Sequence, residues 1–144
     1  MHFYKTIFVL LIMFTNSKLF SYEEGIALNG NLEIYYRDYG PKDAEPILLV
    51  QGIGGQLINW PEHLIDFLLD NNFRPIVYDN RDTGLSSRIP SDSFSDAKRD
   101  NTIVKNYIRY YLRLPIKSDY TLDDMAVDGI SVLNKLDISE AHIL

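Results

Sequence analysis

The serines and histidines of the chain are the side chains that could carry out nucleophilic catalysis, which needs a serine, a histidine base and an acid that orients the base. Ser131 stands two residues after a glycine, but no second glycine follows it, and its position favours a small residue on a helix face. His2, His63 and His142 each lack the sequence context of a catalytic base. We therefore predict that residues 1–144 contain no nucleophile, base or acid of a catalytic triad.

Composition excludes several other kinds of chemistry. The chain has no cysteine, which rules out thiol catalysis, disulfides and thiolate metal sites. It contains no HExxH, P-loop or calcium-loop pattern, and we expect neither a metal nor an organic cofactor. It has 14 basic and 20 acidic side chains, and residues 1–21 hold two of the lysines and no acid, so the remainder has a net charge of −8. Such a chain is expected to repel nucleic acid and anionic lipid.

Three glycines, Gly52, Gly54 and Gly55, follow the continuous apolar run Pro46–Val50. An apolar run bounded by turn residues is typical of a strand that is covered on both faces of a parallel sheet. On its own, a glycine cluster after a strand is equally well explained as a tight turn.

The segments on either side of this strand predict a hairpin and a crossover. Gly25–Tyr39 has β-forming residues on both sides of Asn29-Gly30-Asn31, which predicts a hairpin. After the glycines, Asn59 is a candidate N-cap for a helix with Pro61 and Glu62 in its first turn. That helix has an apolar stripe from residue 64 to residue 69, ends at residues 71–72, and is followed by a strand over residues 74–78. This order predicts a right-handed crossover and a parallel pair.

Two further helices are predicted beyond a polar surface loop over residues 86–100. The first has a stripe of apolar and aromatic residues that runs from Ile103 to Leu112, and it stops at Pro115. We interpret the stripe as covering core; a movable wall over a substrate cleft is the alternative. The second helix begins at the N-cap Thr121, with Asp124 completing a capping box. Its expected buried face consists of Leu122, Met125, Ile130, Leu133 and Leu136.

After this second helix, Asp137 occupies the place where glycine would make the usual helix stop. Residues 141–144 then predict the start of another buried strand.

Residues 1–21 have the three-part plan of a secretory signal, with a basic start, an apolar run over residues 7–14 and a polar, small-residue end. The apolar run is shorter than the roughly 18 to 20 residues that span a bilayer. We therefore expect a cleaved signal and an exported protein. An uncleaved membrane tether and a buried first helix are the alternatives.

Three segments, in order, resemble the α/β-hydrolase family, especially its esterase-like and haloperoxidase-like members of the aclacinomycin-methylesterase type. They are ILLVQGIGG at 47–55, YDNRDTGLSS at 78–87 and the helix and strand at 120–144. The resemblance covers residues 25–144. It implies an α/β fold in which residues 22–144 form the N-terminal part of the domain: a hairpin, then parallel strands with crossover helices. The segment stops just before the Gly-x-Ser-x-Gly nucleophile elbow, since the first glycine would follow Leu144.

The resemblance also implies roles for the glycine loop. The backbone N–H of Ile53 would form half of the oxyanion hole, and Gly52, Gly54 and Gly55 would let the main chain approach the substrate carbonyl. Gln51 stands where the family usually has histidine, a difference that concerns loop packing more than chemistry.

The second segment would have a structural role beside that loop. Asp79 and Arg81 are expected to form an ion pair and backbone hydrogen bonds that brace the loop, within a turn that includes Gly84 and Ser86.

The predicted function is that of the N-terminal portion of an exported serine hydrolase that cleaves a small carboxylic ester, or a related acyl bond, through an acyl-serine. We expect the 144-residue chain by itself to be inactive and, with a sheet edge unpaired, prone to aggregation. The alternatives are a non-catalytic binding module and other chemistry on the same fold, such as haloperoxidase, dehalogenase or lyase reactions.

Overall fold

A computed structural model describes residues 21–52, 54–89, 96–115 and 119–144. Residues 1–20 of the predicted signal segment lie outside the described residues. None of the helices in the described part of the chain is long and apolar enough to cross a membrane.

The described residues form a five-stranded mixed sheet with the strand order β1-β2-β4-β3-β5. Its strands are β1 (Tyr22–Asn29), β2 (Leu32–Tyr39), β3 (Glu45–Leu49), β4 (Phe73–Tyr78) and β5 (His142–Ile143). Strand β2 is antiparallel to both β1 and β4, whereas β3 is parallel to both β4 and β5. The predicted hairpin and parallel pair are therefore confirmed.

Helix α1 (Glu62–Asp70) connects β3 to β4 and starts later than the predicted cap. Its N-cap is Pro61, while Asn59 ends a short 3-10 helix that begins at Leu57. The Asn59 side chain accepts a hydrogen bond from the Gln56 backbone N–H at 2.7 Å. The prediction that Asn59 caps the helix was wrong, because its carboxamide closes the preceding turn.

Helix α2 (Asp96–Tyr111) begins within the segment predicted to be a loop. Its apolar stripe is exposed where side chains are described, and Tyr107 and Tyr111 are 72% and 81% exposed. The prediction that this stripe covers the core was wrong for these residues. Periodicity shows that a helix has an apolar face, but it does not show what packs on that face.

Helix α3 (Leu122–Lys135) has the predicted capping box, in which Asp124 N–H donates to Thr121 Oγ1 and Thr121 N–H donates to Asp124 Oδ2. Hydrogen bonding to Thr121 lowers the pKa of Asp124. Beyond the helix, Asp137 has a φ of 56°, the left-handed conformation expected of a residue in the glycine position.

The buried face of α3 differs from the prediction. Leu122 and Ile130 are 76% and 51% exposed, whereas Asp128, Gly129 and Val132 are buried. Gly129 brings the helix close to the sheet, since a Cβ there would lie 3.1 Å from the Tyr78 hydroxyl. The buried carboxylate and the glycine set the orientation of the helix, and leucine spacing alone could not predict it.

The sheet separates two apolar clusters. Seven buried residues pack on the α3 side: Ala27, Ile34, Tyr36, Leu48, Ile76, Tyr78 and Val132. Six pack on the α1 side: Ile47, Leu49, Leu57, Ile65, Leu68 and Val77. The strand predicted at the end of the chain is present as β5, but it is exposed rather than buried, and Ile143 is 64% exposed.

Candidate functional site

The glycine loop lies at the carboxyl end of β3, beside the end of β5. The Val50 N–H donates to Leu144 O at 2.7 Å, and the Leu144 N–H donates to Leu48 O at 3.0 Å. Because β3, β4 and β5 are parallel, their carboxyl ends share one edge of the sheet. This edge is where α/β proteins place their ligands.

The described glycines of the loop form a tight turn. The Gly55 N–H donates to Gly52 O at 3.0 Å, and Gly54 has a φ of 78°. Apart from the adjacent residues, no atom of the described residues lies within 4 Å of the Cβ position of Gly52 or Gly54, whereas a Cβ on Gly55 would lie 2.6 Å from Gln51 Oε1. The Gln51 side chain thus packs against the loop it precedes. Ile53, the predicted oxyanion-hole donor, lies outside the described residues, and its role stays a prediction.

Asp79, directly after β4, binds the chain that follows the glycine loop. Its buried carboxylate accepts hydrogen bonds from Leu57 N–H at 2.8 Å and from Leu85 N–H at 2.9 Å. Gly84 has a φ of 53°, and a Cβ there would lie 2.0 Å from Asp79 Oδ2. The turn therefore needs glycine at this position, both for its backbone conformation and for space.

Ser86 fastens the same turn to the hairpin. Its hydroxyl donates to Asp79 O at 2.6 Å and accepts from the Tyr35 N–H at 2.9 Å. The adjacent Ser87 hydroxyl accepts from Glu33 N–H at 2.9 Å. Both serine hydroxyls are thus engaged with strand β2.

Arg81 pairs with Asp128 of α3 and not with Asp79, so the predicted Asp79–Arg81 ion pair was wrong. Arg81 Nε and Nη2 donate to the Asp128 carboxylate at 2.6 and 2.8 Å, and Nη2 also donates to Asp124 O at 2.8 Å. The Arg81 and Asp128 side chains are 6% and 0% exposed. Hydrogen bonding to Asp128 raises the pKa of Arg81. The Asp79 carboxylate accepts hydrogen bonds from backbone N–H groups instead. Arg81 binds Asp128, which lies 47 residues later in the sequence.

Sequence reasoning missed two residues of this arrangement, Asp128 and Asn80. The available signal for Asp128 was a single acid within the otherwise apolar segment of α3. Asn80 Nδ2 donates to Gln51 O at 3.0 Å and thereby holds the start of the glycine loop. Its Oδ1 is buried and has no hydrogen-bond partner in the part of the chain that the structure describes. No pattern in the sequence distinguished this asparagine from other turn residues.

Two cavities adjoin the loop. The larger, of about 410 Å³, is almost wholly apolar and lies between the sheet and α3; its lining includes Leu48, Gly52, Asn80, Met125 and Ile143. The smaller, of about 260 Å³, includes Gly54, Asn80, Arg81, Thr83 and Tyr120 in its lining. Both open where the carboxyl ends of the strands meet.

The described residues contain no assembled triad at this edge. The Ser131 hydroxyl donates to Asp128 O within helix α3 at 2.7 Å. His142 pairs with Ile47 in the β3–β5 ladder, and its Nε2 lies 3.3 Å from the Glu45 carboxylate at the opposite end of β3. Over the same described ranges, no group of three acidic or histidine side chains could hold a metal ion.

Comparisons with known proteins identify the fold. No protein-family model matches the chain. A non-heme chloroperoxidase of Burkholderia pyrrocinia is 33% identical over 64 residues, which are 44% of this chain and 23% of that protein.

Solved structures match over more of the chain. The proline iminopeptidase-related protein of Thermus thermophilus has a TM-score of 0.60 and 22% identity, over 85% of this chain and 35% of that one. A carboxylesterase structure from Nitrososphaera gargenis has a TM-score of 0.57 and 21% identity, over 83% of this chain and 35% of that one.

The chain has a partial α/β-hydrolase fold. The proteins that share this fold with it include hydrolytic enzymes and haloperoxidases. The matched region spans only 23% of the chloroperoxidase and about a third of each solved structure.

Proposed function

We propose that this chain is the N-terminal portion of an exported serine hydrolase that cleaves a carboxylic ester or a related acyl bond of a small molecule. In this proposal the glycine loop supplies one oxyanion-hole N–H, from Ile53, and the nucleophile lies in chain that follows β5. The 144-residue chain by itself is then inactive, because serine hydrolysis needs a nucleophile, a base and an acid as well.

The observation that carries the proposal is the position of the glycine loop relative to the end of β5. The two are joined by the hydrogen bonds between Val50, Leu144 and Leu48. A nucleophile on a sharp turn directly after β5 would therefore lie beside backbone N–H groups of the loop, which is the arrangement that stabilises a tetrahedral oxyanion.

The apolar surroundings suit this proposal too. One face of α3 and part of β5 line the larger cavity. Among the described residues, β5 has a neighbouring strand on one side only. We propose that later segments of the protein pair with this edge and cover the cavity.

The first experiment tests the nucleophile. The protein translated from the uninterrupted coding sequence should be labelled stoichiometrically by a fluorophosphonate and should hydrolyse p-nitrophenyl acetate, and the 144-residue chain should do neither. Labelling of the 144-residue chain, or a full coding sequence with no serine after β5, would contradict the proposal.

The second experiment tests the oxyanion loop. Ile53→Pro removes the backbone N–H, and Ile53→Ala is the matched control that keeps it. Loss of one oxyanion donor lowers kcat by roughly 100-fold to 1,000-fold in serine hydrolases. We expect a loss of that size for Ile53→Pro and less than about fivefold for Ile53→Ala. Equal kcat values for the two variants would remove Ile53 from the site.

Haloperoxidase chemistry is the second candidate, favoured by the 33% identity to the chloroperoxidase. Halogenation that depends on peroxide and a carboxylic acid, with negligible ester hydrolysis in the same preparation, would favour it over the first candidate.

Export is proposed from the sequence of residues 1–21. The mass of the protein recovered from the cell exterior or envelope should correspond to removal of this segment. A mature protein that keeps residue 1 while bound to membranes would instead identify a tether.

A further inference from the structure

A cavity of about 330 Å³ lies on the α1 side of the sheet, formed by β1, β2, β4 and the chain from residue 57 to residue 65. Leu57, Ile65 and Val77 give it an apolar, buried floor, and the aromatic side chains of Tyr22, Tyr39 and Trp60 line it. A flat apolar group of a ligand would find both a dry floor and rings to pack against.

The same cavity is lined by Arg37 and also by Glu62. The Arg37 guanidinium hydrogen-bonds to the side chains of Tyr35 and Tyr39, and one of its nitrogens is left over. Arg37 Nε and Trp60 Nε1 are both buried, and neither has a hydrogen-bond partner among the residues that the structure describes. Arg37 also forms an ion pair with Glu24, whose Oε2 lies 3.9 Å from Arg37 Nε, beyond hydrogen-bonding distance. The same Glu24 oxygen accepts a hydrogen bond from the Tyr35 hydroxyl.

These two nitrogens are donors only, so the group that would complete them is an acceptor. A carboxylate is the acceptor that best matches a guanidinium, because the hydrogen bond is then charge-assisted. We propose that this cavity binds a small carboxylate attached to a flat apolar ring, with the carboxylate on Arg37 and Trp60 and the ring against the tyrosines.

The cavity is separate from the candidate active site. It lies next to β1 and β2, near one edge of the sheet, whereas β5 forms the other edge. Leu57 belongs to both regions, since its side chain forms part of the cavity floor and its N–H is held by Asp79. A ligand here would contact the chain that follows the glycine loop without contacting the glycines.

Binding should be visible through Trp60, the only tryptophan in the chain. Because Arg37 Nε and Trp60 Nε1 are both buried, a carboxylate can reach them only if a ring such as that of Tyr22 turns; the Tyr22 ring lies 4.4 Å from the Arg37 guanidinium. The environment of the indole would change as that happens, and its fluorescence with it.

The test uses calorimetric titration of the soluble protein that contains this chain with benzoate. Benzamide keeps the ring without the charge, and acetate keeps the charge without the ring. We expect benzoate to bind at least tenfold more tightly than either, and to shift the tryptophan emission in step with the heat, a shift that should be absent in Trp60→Phe. Equal affinities for benzoate and benzamide would overturn the proposal.

Two substitutions locate the binding. Arg37→Met should weaken benzoate binding at least tenfold, and Trp60→Phe, which keeps a ring but removes the N–H, at least threefold. Lys105→Met removes one positive charge outside the cavity and should leave the affinity within twofold. If benzoate binds both cavity variants as tightly as the unaltered protein, it binds elsewhere, for instance at the catalytic centre, and the cavity has no role in carboxylate binding.

Discussion

The buried pair between Arg81 and Asp128 gives the sharpest test of how the turn after β4 is held. Asp128 is fully buried and accepts three hydrogen bonds, two from Arg81 and one from Asn29 Nδ2 at 2.7 Å. Removing one partner of such a pair leaves an uncompensated buried charge and costs about 3 to 5 kcal/mol. We therefore expect Asp128→Ala and Arg81→Met each to lower the free energy of unfolding by about this amount.

The double variant distinguishes the free energy of the interaction between Arg81 and Asp128 from what each side chain contributes by itself. With both charges removed, no buried charge is left unpaired, and the combined loss should be smaller than the sum of the single losses by at least about 2 kcal/mol. Urea unfolding followed by circular dichroism measures all three variants. A double variant that folds where a single variant does not would support the reasoning equally well.

Asp43→Ala is the matched control, since it removes a carboxylate from an exposed position. Its effect should stay within about 0.5 kcal/mol. Additive losses in the double variant, or single losses near that of the control, would refute the view that Arg81 and Asp128 stabilise the fold as a pair.

Three further predictions concern the turn, a buried tyrosine and the sheet edge. Gly84→Ala should cost at least about 3 kcal/mol, because its Cβ would displace the Asp79 carboxylate and leave buried N–H groups unpaired. Gly30 has a similar φ and open space around it, so Gly30→Ala should cost only about 1 to 2 kcal/mol. Equal losses for Gly84→Ala and Gly30→Ala in urea unfolding would contradict the steric argument. Burial, with a smaller effect of Asp128, raises the pKa of Tyr78 to about 12. The folded protein therefore keeps a proton that the unfolded chain loses near pH 10, and between about pH 9 and pH 11 stability should fall by about 1.4 kcal/mol more than in Tyr78→Phe. Parallel pH profiles would exclude this contribution. The 144-residue chain by itself should aggregate through its open sheet edge, and a sharp two-state thermal transition from a soluble monomer would show otherwise.

The strands could be predicted because their signals are local. The run before Gly52 is apolar on both faces, and the structure places it between β4 and β5, where both faces are covered. The capping box at Thr121 and Asp124 also depends only on neighbouring residues, and it is present as predicted.

The predictions were wrong where a side chain could bind any of several partners. Asp79 and Arg81 are close in sequence and opposite in charge, but the turn directs Asp79 to backbone N–H groups and Arg81 to Asp128. Likewise, the leucine spacing of α3 is compatible with more than one orientation of the helix. The orientation follows from the buried Asp128 and from the close approach at Gly129, both of which depend on tertiary contacts.

Three consecutive residues after β4 each hold a different part of the candidate site. Asp79 binds the chain beyond the glycine loop, Asn80 binds Gln51 at the start of the loop, and Arg81 binds helix α3. The loop is thus fixed at both ends by side chains that directly follow the neighbouring strand, and Gly52 and Gly54 have open space beside them for a ligand. These contacts hold the loop through the Gln51 carbonyl and not its side chain, so they do not depend on which side chain stands at position 51. The shape of the loop therefore depends on the turn after β4 as well as on the Gln51 side chain, which packs against Gly55.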